Sequence, residues 1–357
     1  MNGEEGPEVS GRTGPLVSVI IPVYNSLDYV TSALESTRKQ GLGEDQIEVI
    51  AVDDGSTDGS GAVLDAFAAH NPHVTVLHQE NSGGPGAPRN AGLDRAHGTF
   101  VFFLDADDEL TRNALRDLTT FAERCDSDIV LAKVKGRGGR KIPRSMFKQT
   151  KKSADIVADH LLDTMGPWKL YRRDLIERNA LRFPSHLRRG EDPPFVMAAY
   201  LAAARISVFA DRNCYVLRKR ADGGNLTNSK SDPIEALDRM QALIEVILER
   251  TDPGTYRDAL MRRPLQFLLP SVMKPNFRNL DPGQRRLVAT RMRTLVGPHL
   301  NAETLTYLSP VQRIKAKLLV WGLPAAVCWV LWWEGSRAHL ATRGVLERVR
   351  GTGAPAA

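Results

Sequence analysis

Two aspartates one residue apart, Asp105-Ala106-Asp107, follow the strand-like run Thr99–Leu104. Carboxylates this close repel unless a cation joins them. Oxygen ligands of this kind suit Mg²⁺ or Mn²⁺, and bound phosphates usually complete the coordination. The plainer reading is a solvated turn, and Asp108 is assigned to it as the cap of a helix starting at Leu110. A second acidic pair, Asp53-Asp54, ends the apolar run Ile47–Val52. Turn chemistry explains much of that pair, with Asp58 as the N-cap of the next helix. An acid in this position can also accept hydrogen bonds from a nucleotide base or a ribose.

A Gly- and Pro-rich loop, Asn81–Asn90 (NSGGPGAPRN), lies between these pairs. It is not a phosphate loop of the Walker A kind, because no Gly-Lys-Ser/Thr follows. Nor does the first strand turn into GxGxxG; it turns into Pro22-Val23-Tyr24-Asn25, which speaks against a dinucleotide dehydrogenase. Arg89 opens a helix behind the loop, where it could meet phosphate together with the helix's N-terminal amides. Further on, Glu191-Asp192 precede Pro193-Pro194. Acids at a helix start are ordinary complements to its dipole.

The elements that carry these residues follow from hydrophobic periodicity. Val17–Val23, Ile47–Val52, Val74–Leu77 and Thr99–Leu104 read as short buried strands, with a fifth near Asp128–Val134. Helical patterns fill the intervals, over Asp28–Gln40, from Asp58 through Phe67, and over Leu110–Phe121. Alternation of this kind predicts an α/β fold with a mostly parallel sheet and helices on both faces. The acidic clusters then fall at strand carboxyl ends, where such sheets bind ligands. Beyond that, 136–149 reads as a basic loop, Ser153–Thr164 as a helix, Trp168–Tyr171 as a strand leading into a helix from Arg173, and Glu191–Ala204 as a helix. Ile206–Phe209 and Cys214–Leu217 read as strands. From about 233 the pattern is all-helical.

VSVIIPVYN, VDDGSTDGS, NSGGPGAPRN and FLDADD, in this order, resemble the family 2 glycosyltransferases, inverting enzymes with the GT-A, Rossmann-like fold. Trp168–Arg173 (WKLYRR) and Gly190-Glu191-Asp192 also match the family's pattern. The resemblance covers roughly 16–228. It implies a nucleotide-sugar donor, with UDP the expected carrier, and Mn²⁺ or Mg²⁺ as cofactor. Residue by residue, it implies that Pro22 and Tyr24 line the base and ribose. Asp54 would accept from the base, with Asn81 and Arg89 nearby. Asp105 would touch the ribose or the metal shell, and Asp107 would be the direct metal ligand. Asp192 would be the catalytic base, with in-line displacement inverting the anomeric centre. Pro85 and Pro88 stiffen the loop, which makes the placement around Arg89 a point for the structure to decide.

The length, 357 residues, suits about two domains. The expected division is a flexible tail over 1–15, a catalytic domain over 16–230 and a helical region over 231–357. The net charge of +6 hides an asymmetry. Residues 1–132 carry 8 Lys/Arg against 22 Asp/Glu, and the remainder carries 40 against 20. An acidic half could hold a cation, and a basic half would steer a polyanion. The expected acceptor is therefore an anionic or lipid-linked cell-surface glycan, of teichoic-acid type. No binding motif supports nucleic acid. Cys125, Cys214 and Cys328 are scattered, in keeping with a reducing cytoplasm. The polar N-terminus is no signal peptide.

Residues 318–333 (LLVWGLPAAVCWVLWW) hold four of the five tryptophans, behind Arg313, Lys315 and Lys317. The stretch is too short for a spanning helix. It suits peripheral association of 313–333 with the inner face of a membrane, or burial in a helical hairpin or a homo-oligomer contact. Two competing functions from other classes are a nucleotidylyltransferase and a non-catalytic nucleotide-sugar binder. The first would want a basic, Gly-rich loop after the first strand, which Pro22–Ser26 lacks.

Overall fold

The protein, seen here as a computed structural model, is described over residues 14–220 and 232–334. The chain divides into two units, Met1–Ser229 and Lys230–Ala357. Most of the expected N-terminal tail, and the expected boundary at 230–231, lie outside the described residues.

In the first unit β1 (Val17–Val23), α1 (Leu27–Thr37), β2 (Ile47–Asp53), α2 (Ser60–Ala68), β3 (Val74–His78), α3 (Gly86–Leu93) and β4 (Phe100–Phe103) alternate. Then come β5 (Glu109–Leu110), α4 (Ala114–Cys125), β6 (Ile129–Ala132), β7 (Val134–Arg137), β8 (Lys169–Arg172), α5 (Arg173–Arg178), α6 (Asp192–Ala202), β9 (Ile206–Phe209) and β10 (Tyr215–Arg218). Seven strands form one sheet in the order β3-β2-β1-β4-β8-β6-β9, and β5-β10-β7 form a small second sheet. The large sheet is mixed. β1 runs parallel to β2 and β4, β2 to β3, and β6 to β9, while β8 is antiparallel to both of its neighbours.

Every residue of β1 is buried, as a strand covered on both faces requires. The chain lays β2 and β3 on one side of β1 and then returns to place β4 on the other. The strand order therefore reverses at β1, and a crevice opens there beyond the carboxyl ends. Helix α3 packs hard on β1, since a Cβ on Gly92 would collide with the Ile20 side chain. Under the crevice lies an aromatic core. Phe183 and Phe195 stack at 3.9 Å, and Phe103 meets both edge-on.

Several local expectations are corrected. Glu109–Leu110 is not helical; it pairs with β10, and the helix starts at Ala114. Asp108 is accordingly not a cap. Asp58 is not the N-cap of α2, a position that falls to Gly59 with φ 97°. Its carboxylate instead takes the Leu27 amide and both the amide and hydroxyl of Ser60, tying α1 to α2. Residues 153–164 form turns with one 3₁₀ turn, Leu161–Asp163. The loop expected from 136 begins inside β7. Cys125, Cys214 and Cys328 are free.

The second unit is helical. α7 (Pro233–Arg250) and α8 (Thr255–Arg263) lead through a π-helical turn, Pro264–Leu268, into α9 (Leu269–Val272). Capping boxes start α10 (Pro282–Leu295), from Asp281 and Gln284, and α11 (Pro310–Val320), from Ser309 and Gln312. A final helix, α12, runs over 324–334. Among the described residues no helix is long and apolar enough to cross a membrane.

Candidate active site

Parallel register sets the strand ends side by side. Val23 pairs with Asp53 across β1 and β2, and Ile20 with Phe103 across β1 and β4. The loop after β1 is laced to the loop after β2. The Asn25 amide donates to Ser56 Oγ, Thr57 N donates to Asn25 Oδ1, and Ser26 N donates to Ser60 Oγ. Pro22 is buried in the strand end, while Tyr24 stays exposed above it.

Asp54 is buried. It accepts from Gln79 Nε2 at 2.6 Å and from both the amide and the hydroxyl of Ser82, the latter at 2.9 Å. It therefore clamps the Gly-rich loop to the end of β2. Asn81 is exposed, and its Oδ1 folds back to accept the Gly83 amide. At Gly84 the loop passes the backbone of 187–188 so closely that a Cβ would lie 2.8 Å from the Arg188 carbonyl oxygen. Asn90 exchanges two hydrogen bonds of 2.9 Å with the Phe183 backbone. Loop 81–90 and the segment 183–188 are thus held together, by close backbone packing at Gly84 and by the Asn90 side chain.

Arg89 is the centre of the site. Its side chain is 3% exposed and lies against the Phe183 ring. Nη2 donates to Asp105 Oδ1 at 2.7 Å, while Nη1 donates to Glu191 Oε1 at 2.5 Å and to Asp192 Oδ1 at 2.8 Å. Burial works against the charge of the guanidinium, and Asp192, Asp105 and Glu191 outweigh it. Asp192 is the first residue of α6 and Glu191 its N-cap, so both acids also sit at a helix N-terminus. Burial, then Glu191, pushes the Asp192 carboxyl well above the usual carboxylate range, and Arg89 opposes them.

Asp105 has both oxygens engaged, because Oδ2 accepts the indole N–H of Trp168 at 2.9 Å. Trp168 lies over Tyr215, with ring centroids 5.7 Å apart. The Tyr215 hydroxyl accepts the Asp105 amide and donates to Asp108 Oδ2 at 2.9 Å, and the other oxygen of Asp108 takes the Arg218 amide. Burial, then Asp105 and Asp107, pushes Asp108 up to about 9. Asp107 is pushed up to about 6, by burial and then by Asp105, against Arg220 and Arg140.

The expected residues separate into two groups. Arg89, Asp105 and Asp192 are joined directly, and Asp107 is coupled to them through Asp105. Pro22, Tyr24, Asp54 and Asn81 sit at the adjoining ends of β1, β2 and the Gly-rich loop. Glu191, Trp168, Tyr215 and Asp108 belong to the network without having been singled out as site residues. The available signal for Trp168 was its isolation, as the single tryptophan before residue 321. Among the described residues no group of three or more His, Cys, Asp or Glu could hold a metal ion. With Asp105 tied to Arg89 and Trp168, a divalent cation fits only as a guest of Asp107 that takes its other ligands from a diphosphate and water. The crowded charge of Asp105 and Asp107 suits such a guest.

Known proteins share this arrangement of elements. The model of glycosyl transferase family 2 matches residues 18–179, and that of the glycosyl transferase TarS linker domain matches 233–328. A poly(ribitol-phosphate) beta-glucosyltransferase of Bacillus spizizenii is 40% identical over 232 residues, which is 65% of this chain and 36% of that protein. The poly(ribitol-phosphate) beta-N-acetylglucosaminyltransferase TarS of Staphylococcus aureus is 37% identical over 245 residues, 68% of this chain and 42% of that one. The chain thus spans well under half the length of these curated relatives. A crystal structure of S. aureus TarS 1-349 in complex with UDP-GlcNAc superposes with a TM-score of 0.78, at 29% identity, covering 90% of this chain and 92% of that one. The glycosyltransferase GlyG of Streptococcus pneumoniae is 31% identical over 235 residues, 61% of this chain and 74% of that protein. With the family 2 model matched ahead of the linker model, the chain belongs to glycosyl transferase family 2.

Proposed function

We propose that the protein transfers a hexosyl or N-acetylhexosaminyl group from a UDP-sugar to a hydroxyl of an anionic cell-wall glycopolymer, with inversion at the anomeric carbon. The observation that carries this reading is the Arg89 guanidinium, which joins the strand-end acid Asp105 to the helix-start acid Asp192. One buried cation fixes a donor-side carboxylate and a base within its own span.

The ends of β1 and β2 receive the nucleoside, on Pro22, Tyr24 and the rim formed by Asp54 and Asn81. Asp105, held by Arg89 and Trp168, presents a fixed carboxylate to the ribose side. Asp107 would hold Mg²⁺ or Mn²⁺, which when bound would supply Lewis-acid neutralisation of the leaving diphosphate. Asp192 takes the proton of the acceptor hydroxyl as its oxygen attacks the anomeric carbon. The bond to the diphosphate breaks on the opposite face, and the diphosphate leaves with the bonding electrons. A positioned base of this kind contributes about 10²–10⁴ in rate. Arg89 acts through Asp192 rather than on substrate, holding the base in place.

The relatives' names support the acceptor class, a poly(ribitol phosphate), and the two sugars that they print support the donor class. The basic composition past residue 132 agrees with a phosphate-bearing acceptor. The site of action proposed is the cytoplasm, peripheral to the inner face of the membrane. The test is incubation of the protein with UDP-glucose, UDP-GlcNAc and other nucleotide sugars, with and without poly(ribitol phosphate). Transfer of a β-linked sugar from an α-linked donor is expected. Release of a sugar 1-phosphate in place of UDP would replace this reading with nucleotidyl transfer, and binding without turnover would leave a nucleotide-sugar binder.

A further inference from the structure

The most aromatic stretch of the chain takes no part in the site described above. In α12, Val327 and Leu331 are buried, whereas Ala325, Trp329, Trp332 and Trp333 are exposed. At 100° per residue these four fall within a sector of about 100°, opposite the buried pair. Trp329 is 65% exposed and Trp332 54%. The turn before α12 adds Trp321, 64% exposed, and Leu323. On α11, Ile314 and Lys317 are exposed at helical spacing that continues to Trp321, the residue that caps the helix. An apolar face this rich in tryptophan is not an ordinary solvated surface.

Its rim is cationic. Arg293 of α10 donates from Nε to the Val320 carbonyl at 3.0 Å, which places its guanidinium beside the Gly322 turn, where a Cβ would collide with it. Lys317 lies one turn before Trp321. By contrast, Lys315 points inward to Glu334 at 2.9 Å and fixes α11 to α12. Tryptophans flanked by Lys and Arg match the physical needs of a bilayer interface. The indole body enters the acyl boundary, and the cations stay with anionic headgroups.

We propose that the outer face of α11 and α12, centred on Trp321 and Trp329, docks on an anionic lipid bilayer, lying in the interface without crossing it. This rests on the placement at the membrane proposed above and names the residues that bring it about.

The test is flotation of the full chain with vesicles of phosphatidylcholine alone and of phosphatidylcholine mixed with phosphatidylglycerol. Binding is expected to the mixed vesicles, to weaken with salt, and to fall at least about tenfold in W321A/W329A, whose exposed side chains leave the core untouched. Arg293→Gln/Lys317→Gln should lose the preference for anionic lipid. Unchanged binding in both variants, or no binding of the parent protein to mixed vesicles, would overturn the proposal. So would a self-associated species in sedimentation equilibrium that W321A/W329A dissociates, since the face would then belong to a second copy. UDP-sugar hydrolysis, measured without vesicles, should be equal in all variants. Its absence from the parent protein would count against the proposed enzymatic function alone.

Discussion

Arg89 and Asp192 stand 103 residues apart in the chain and 2.8 Å apart in the fold. The same nitrogen also serves Glu191, so the proposed base and its neighbour share one cationic anchor. Replacing Asp192 by Asn keeps the shape and removes the proton acceptor. Transfer should be abolished, while calorimetry should find UDP bound as tightly as before. A lost affinity for UDP in a folded variant would take Asp192 out of the base role.

The environment of Asp192 sets the sign of a pH dependence. Burial and Glu191 raise its pKa, and Arg89 lowers it. A base acts in its ionised form, so kcat/KM should fall as the pH drops, with the acid limb above the ordinary carboxylate range. Glu191→Gln removes a group that raises the pKa, and the limb should move to lower pH. A pH–rate profile for parent and variant decides this, and a shift in the opposite direction would contradict the coupling.

Arg89 also carries a structural load. Arg89→Met would leave Asp105, Glu191 and Asp192 facing one another without their cation. Breaking a buried ion pair from one side typically costs about 3–5 kcal/mol. Urea unfolding should show a loss of that order. An unchanged midpoint would mean that the cluster relaxes into water without penalty.

Asp107 predicts the reverse pattern. Burial and Asp105 disfavour its charge. Asp107→Asn should therefore be no less stable than the parent, yet slower in transfer by at least about a hundredfold, as for loss of an electrostatic stabiliser. Full activity of the variant without added divalent cation would refute the metal-holding role.

Acceptor binding gives a fifth contrast. Arg188 is exposed and Arg189 half-buried, beside the Gly-rich loop. Exposed charges are screened over a Debye length of about 8 Å in physiological salt. The KM for poly(ribitol phosphate) should rise steeply with salt, and Arg188→Ala/Arg189→Ala should flatten that rise. Hydrolysis of the donor alone should respond less. A salt-independent KM would return these arginines to ordinary surface.

The strands of the acidic half were legible because burial on both faces writes itself as an unbroken apolar run, as in Val17–Val23. Glu109–Leu110 was not legible, because its partner, β10, lies over a hundred residues on. The pattern at 153–164 looked helical, but its backbone is engaged elsewhere. Lys151 and Ala154 donate to β9, and the Asp155 side chain takes the amides of Val157 and Ala158. At the site, residue types revealed the acids. What they could not reveal was that Arg89 faces three carboxylates, because Glu191 and Asp192 reach it only through the packing of Phe183 and Phe195.

The Tyr215 hydroxyl, which takes the Asp105 amide and binds Asp108, has a consequence for biosynthesis. Its partners precede it by 110 and 107 residues. On a ribosome moving at about 5–20 residues per second, the acidic turn would wait roughly 5–20 s for the tyrosine that braces it. The nascent chain can complete β1 to β4 early, because those strands are near neighbours in sequence. The Asp108 carboxylate and the Asp105 amide lack their tyrosine partner until the residues of β10 emerge. A ribosome stalled before residue 215 would thus carry a finished nucleotide-side sheet with a loose acidic turn, and translation itself orders the assembly of the site.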